Sequence, residues 1–156
     1  MGDRSVTRNC GPDLARVGAG LPVAAYRDEI TTALHGGRAV IVAPPGTGKT
    51  TFVPPLVASR CSGRVIVTQP RRVAARAAAR RLAALTGTRP GEFASHTVHG
   101  ESTTTRDTKV EFVTTGVLLR RLLSDPDLTG VDAVVLDEVH DCLLYTSDAA
   151  DDLLCV

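Results

Sequence analysis

A mixed α/β fold, with a mostly parallel sheet flanked by helices, is predicted by three features of the sequence. Short apolar β-branched runs recur along the chain and read as buried strands. Stretches of helical periodicity separate them, the alternation that builds a parallel sheet covered on both faces. The polar motifs fall where strand runs end, which is where such sheets bind their ligands.

The elements follow in order. Residues 1–20 mix Gly, Arg and Asp without periodicity and read as a flexible leader. From Leu21 a helical pattern begins, with Pro22 in its first turn, Val23, Tyr26, Ile30, Ala33 and Leu34 recurring, and Gly36-Gly37 ending it. RAVIVA (38–43) is the first strand, and its apolar run leads into the turn PPGTGKT. TFVPPLVASR continues as a helix that Pro54-Pro55 should keep short or kinked. RVIVT (64–68) is a second strand, and RRVAARAAARRLAALTG is a strong helix ended by Gly87. SHTVHG (95–100) and KVEFVTT (109–115) read as strands, and GVLLRRLL (116–123) as an amphipathic helix stopped at Asp125-Pro126. DAVVLDEVH (132–140) is a last buried strand, expected beside the first one, with acidic residues at its carboxyl end.

Composition narrows the function classes. The chain has 156 residues, about one domain, with a net charge of only +1. With no Trp, two Tyr and three Phe it offers little on which single-stranded bases could stack, so any nucleic acid should be held by its phosphate backbone. Four cysteines without Cys-x-x-Cys spacing read as reduced thiols. No run approaches membrane-spanning length and the opening lacks a signal-peptide core, so the expected location is cytoplasmic, without a membrane partner.

APPGTGKT (43–50) fits the phosphate-binding P-loop pattern, with Ala43 in place of the first Gly. Gly46 and Gly48 give the freedom that lets successive N–H groups turn inward around phosphate oxygens. Lys49 can reach the β- and γ-phosphates, and the Thr50 hydroxyl can ligate Mg²⁺. Pro45, Gly46, Thr47, Gly48, Lys49, Thr50 and Thr51 are therefore the candidate nucleotide-binding residues, with ATP and Mg²⁺ as the ligands. AVVLDE (133–138) supplies the complementary corner: Asp137 to hold Mg²⁺ and Glu138 to orient or deprotonate the attacking water. His140 reads as a solvated strand-end side chain or as a relay of nucleotide state. Lys49, Asp137, Glu138 and His140 form the candidate catalytic set.

APPGTGKTT, TQPRRVAARAAARRLA, VTTGVLLRRLL and DEVH, in this order from Leu21 to about His140, resemble the DEAH-box helicases of superfamily 2, of the bacterial HrpB type. The resemblance implies a RecA-like P-loop NTPase lobe, here truncated, of an ATP-dependent helicase acting on nucleic acid, RNA being favoured. It implies that Thr68, Gln69, Pro70, Arg71 and Arg72 form one nucleic-acid motif and Thr114, Thr115 and Gly116 a second. Arg81 takes the place of an arginine that packs on adenine, which a guanidinium plane can do. Arg76 and Arg80 share a helix face that reads either as basic surface or as ordinary solvated charge.

The sequence departs from the family in three places. His96 and His99 stand where the family usually has an aromatic and an arginine. The DEVH box runs into Asp141-Cys142 rather than Glu-Arg. No Gln-Arg-x-Gly-Arg-x-Gly-Arg segment occurs within these residues. In the family that segment belongs to a second RecA-like lobe, expected as the missing partner of the first, whose arginines are worth roughly 10³–10⁵ in rate. The chain alone is therefore expected to bind nucleotide weakly and hydrolyse it negligibly. CLLYTSDAADDLLCV (142–156) resembles translated sequencing-adapter sequence and is expected not to belong to the natural protein. Two other readings stay open: another P-loop ATPase, or a nucleic-acid-binding module without catalysis.

Overall fold

The computed structural model describes residues 11–139 and 153–155. Helix α1 (Leu14–Gly18) opens the described chain, and the Asp13 carboxylate caps it by accepting the Ala15 and Arg16 N–H groups at 3.1 and 3.2 Å. Leu14 and Val17, one helical turn apart, are buried in the main core. The loose leader expected over residues 1–20 therefore gives way to a packed turn of helix from Leu14; a pair of apolar residues sufficed once a tertiary surface received them. Residues 1–10 lie outside the described residues.

A 3₁₀ turn (Pro22–Tyr26) leads into α2 (Arg27–Leu34), so the expected single helix from Leu21 divides in two. Strand β1 (Val40–Val42) is followed by α3 (Lys49–Ala58), β2 (Arg64–Gln69), α4 (Arg72–Thr86), β3 (Ala94–Val98) and β4 (Glu101–Ser102). Then come β5 (Val110–Thr114), α5 (Thr115–Ser124), β6 (Val131–Leu136) and β7 (Leu153–Cys155). The prolines do not shorten α3, which runs ten residues with Pro54 and Pro55 inside it. Phe52 to Ala58 are all buried, and their packing offsets the two lost backbone bonds.

The strands form one sheet in the order β1-β7-β6-β2-β5-β3-β4. The central strands β6, β2, β5 and β3 are mutually parallel, as expected. The acidic strand β6 does not lie directly beside β1; it pairs with β2 on one side, and β7 runs antiparallel between β6 and β1. Of the tail 142–156, this three-residue strand is the only part within the described residues.

Alternation along β2 covers both faces. Val65 and Val67 join Phe52, Leu56, Ala79, Leu82 and Phe112 in the main core, while Ile66 meets Val113 and Leu118 on the opposite face. A carboxylate is buried within this frame. Glu111, fully enclosed in β5, accepts from Arg121 Nη1 at 2.9 Å, Thr97 Oγ1 at 2.6 Å and Arg64 Nη1 at 3.2 Å. Arg121 thereby ties α5 to the sheet. Burial by itself raises the Glu111 pKa. The hydrogen bonds from Arg121 and Thr97, with the charges of Arg121 and Arg64, outweigh it and bring the carboxyl to about 2.

Candidate nucleotide site

The turn between β1 and α3 is built on two left-handed glycines, Gly46 at φ 76° and Gly48 at φ 93°. A Cβ on Gly48 would also approach Leu21 Cδ2 to 2.9 Å, because residues 21–23 pack on the loop and Val23 N–H donates to the Thr47 carbonyl at 3.1 Å. Helix α3 starts at Lys49, with Phe52 N–H on the Gly48 carbonyl at 2.9 Å, so its free amino terminus faces the loop. Lys49 Nζ donates to the carbonyls of Ala43 and Pro44. This holds its charge over the mouth of the turn.

Parallel pairing of β2 with β6 sets Thr68 opposite Leu136, so Gln69 and Asp137 emerge together at the carboxyl end of the sheet. Asp137 is 2% exposed. Its Oδ2 accepts from the Thr50 hydroxyl and from Gln69 Nε2, both at 2.5 Å, and its Oδ1 accepts the Glu138 N–H at 3.1 Å. Glu138 has φ 54°, a left-handed conformation that costs a non-glycine residue of order 1–3 kcal/mol. A cavity of about 290 Å³ brings together the loop residues Pro45 to Thr51, Arg81 and Glu138, with Leu21 at its edge. Thus every candidate nucleotide-binding residue lines one space, and Asp137 touches it through Thr50. His140 lies outside the described residues.

The donor set fits a hard divalent cation: a carboxylate and a hydroxyl, both oxygen ligands, share one corner beside a loop shaped for phosphate oxygens. Among the described residues there is no cluster of three or more His, Cys, Asp or Glu side chains that could hold a metal by themselves. A cation here would therefore take most of its ligands from phosphate and water. A larger polar cavity of about 380 Å³ sits at the other end of the strands, lined by Arg64, Lys109 and Arg121. No phosphate loop or acidic corner reaches it, so the carboxyl-end cavity is the candidate site.

The two predicted nucleic-acid segments also come together, since Gln69 pairs with Thr114 in the β2–β5 ladder. Helices α4 and α5 start side by side at Arg72 and Thr115, with Arg71 and Arg72 exposed. Thr68 and Gln69, expected in the first motif, are 1% and 4% exposed, so their side chains face the interior rather than the surface that Arg71 and Arg72 form. Position in the motif gave no sign of this, because burial at a strand end is decided by the neighbouring strands. Arg76 is drawn to Glu101, with Nε to Oε2 at 3.0 Å, whereas Arg80 is exposed. His96 is buried and donates from Nε2 to Glu101 Oε1 at 2.8 Å. Hydrogen bonds from His96 and then Arg76 hold the Glu101 carboxyl below its ordinary range. His99 is exposed and accepts at Nδ1 from Arg120 at 3.3 Å.

A phosphate loop and an acidic strand end, joined by the Thr50–Asp137 bond, stand on a parallel sheet. A family model described as DEAD/DEAH box helicase matches residues 26–153. The chain belongs to the DEAD/DEAH box helicase family. It is 40% identical over 124 residues to the ATP-dependent RNA helicase HrpB of Escherichia coli (strain K12), covering 78% of this chain and 15% of that protein. It is also 40% identical over 131 residues to the DExH-box ATP-dependent RNA helicase DExH3 of Arabidopsis thaliana, covering 78% of this chain and 11% of the relative. A crystal structure of the Escherichia coli DEAH/RHA helicase HrpB superposes with a TM-score of 0.71 at 40% identity, over 78% of this chain and 16% of that one. This DEAD/DEAH box helicase chain thus spans less than a fifth of the length of these relatives. Among its described residues, no helix is long and apolar enough to cross a membrane.

Proposed function

We propose that the chain is the ATP-binding lobe of an ATP-dependent RNA helicase, a nucleoside triphosphate hydrolase that couples turnover to movement along or unwinding of nucleic acid. The observation that carries this reading is the Thr50–Asp137 hydrogen bond, which joins the phosphate loop to the acidic corner. Bound Mg²⁺, held by Thr50 and Asp137, would neutralise charge on the phosphate oxygens. The loop N–H groups and the amino terminus of α3 receive the phosphates, and Lys49 adds a positive charge to them. Glu138 orients the attacking water, and Arg81 lies against the base.

Single-stranded RNA is held through its phosphates by Arg71 and Arg72 at the amino terminus of α4 and by Thr114, Thr115 and Gly116 at that of α5. The RNA assignment rests on the names of the relatives. A second RecA-like lobe supplies the arginines for efficient turnover, and the cytoplasm is the proposed location. The test is binding of a fluorescent ATP analogue to the 156-residue chain and to Lys49→Ala. Saturable binding lost in the variant is expected, with hydrolysis far below helicase rates. Binding that Lys49→Ala leaves intact would overturn the assignment.

A further inference from the structure

Gln69 belongs by sequence to the nucleic-acid motif and by structure to the metal corner. Its side chain is 4% exposed, and Nε2 donates to Asp137 Oδ2 at 2.5 Å, the same oxygen that takes the Thr50 hydroxyl. Gln69 is the last residue of β2, and Arg72 begins α4. Only Pro70 and Arg71 stand between, and proline removes most of the backbone freedom there. On its other side Gln69 pairs with Thr114, the residue immediately before α5. A shift of either helix start therefore moves the donor that fixes Asp137. Thr68, one residue earlier, is 1% exposed and its hydroxyl has no partner among the described residues, so it adds no second tether.

We infer that Gln69 is a positioning residue: its amide transmits occupancy of the Arg71–Arg72 and Thr114–Gly116 surface to the Mg²⁺-holding oxygen of Asp137, and back again. The inference rests on the ATP- and RNA-binding reading above. A neutral amide suits the task. It steadies the carboxylate as a hydrogen-bond donor without adding a charge that would compete with the cation. Linkage requires the coupling to run both ways, with RNA changing affinity for Mg²⁺–nucleotide by the factor that the nucleotide changes affinity for RNA.

The test measures a fluorescent non-hydrolysable ATP analogue binding to the 156-residue chain with and without a single-stranded RNA oligonucleotide, in Mg²⁺ and in EDTA. The unaltered chain is expected to show coupling of about 5-fold or more in Mg²⁺ and none in EDTA. Gln69→Leu is expected to abolish the coupling while keeping RNA affinity alone and metal-free nucleotide affinity. A purely structural Gln69 would instead lower all affinities together, or leave the coupling intact. Hydrogen exchange of the unaltered chain decides the matter even if the variant does not fold. Amides of residues 71–74 should slow with Mg²⁺–nucleotide and not with nucleotide in EDTA. Equal protection in the two, or coupling that survives Gln69→Leu, overturns the inference and leaves the nucleotide site standing. Absence of nucleotide binding altogether overturns both.

Discussion

The Thr50 hydroxyl donates to Asp137 Oδ2 at 2.5 Å across 87 residues of sequence. This one bond closes the candidate site, because Thr50 lies in the first turn of α3 while Asp137 directly follows β6. The strand leading into the loop, β1, is not a neighbour of β6 in the sheet. The oxygen is shared with Gln69, so one buried carboxylate oxygen gathers a hydroxyl from the loop helix and an amide from β2.

Removing that hydroxyl separates metal from nucleotide binding. In Thr50→Val, affinity for Mg²⁺–nucleotide should fall about tenfold or more, while nucleotide measured in EDTA binds as before. The lost bond to a charged group costs about 1.5–3 kcal/mol of stability. A Mg²⁺ titration at fixed fluorescent nucleotide, with a parallel thermal melt, reads both quantities.

The two loop glycines should differ in their tolerance of alanine. Gly46→Ala meets only the backbone cost, since φ is 76° and no heavy atom lies within 4 Å of the added Cβ. Gly48→Ala meets that cost at φ 93° and a 2.9 Å approach to Leu21 as well. Strain of about 1–3 kcal/mol should lower Tm by roughly 2–4 °C per kcal/mol, with Gly48→Ala the lower of the two. Equal Tm values for the two variants would contradict the packing of residues 21–23 on the loop.

Glu111 gives the protein an acid limit. Its folded pKa of about 2 lies below the ordinary 4.5, so its contribution is fully present above about pH 4.5 and is lost as pH falls towards 2. The contribution is of order 3 kcal/mol. Glu111→Gln should destabilise the chain at neutral pH by about 3–5 kcal/mol, since it leaves Arg121 and Arg64 without their acid. It should also flatten the dependence of stability on pH between about 5 and 2. Urea melts across that range, for both proteins, provide the check.

Val40 and Val42 are 60% and 67% exposed on β1, which closes one side of the sheet. An apolar edge strand is a template for pairing with another chain. Val42→Lys should reduce concentration-dependent light scattering and leave the Tm within about 0.5 kcal/mol equivalent. Unchanged scattering would place the sticky surface elsewhere.

The sequence by itself determined the strand and helix alternation, the glycine turn and the residues from Pro45 to Thr51. It also marked Asp137 and Glu138 as their acidic counterpart. These are local patterns: β-branched runs, glycine freedom and helix periodicity act within a few residues of themselves. Only the tertiary structure decided which side chains those patterns bury. Leu14 and Val17 left the leader for the core because α3 and α4 offered them a surface. Glu111 could be charged inside a sheet because Arg64 and Arg121, distant in sequence, converge on it. Gln69 became a donor to Asp137 because parallel pairing of β2 and β6 brought two strand ends to the same height. Burial and register are properties of neighbours, and neighbours are chosen by the fold.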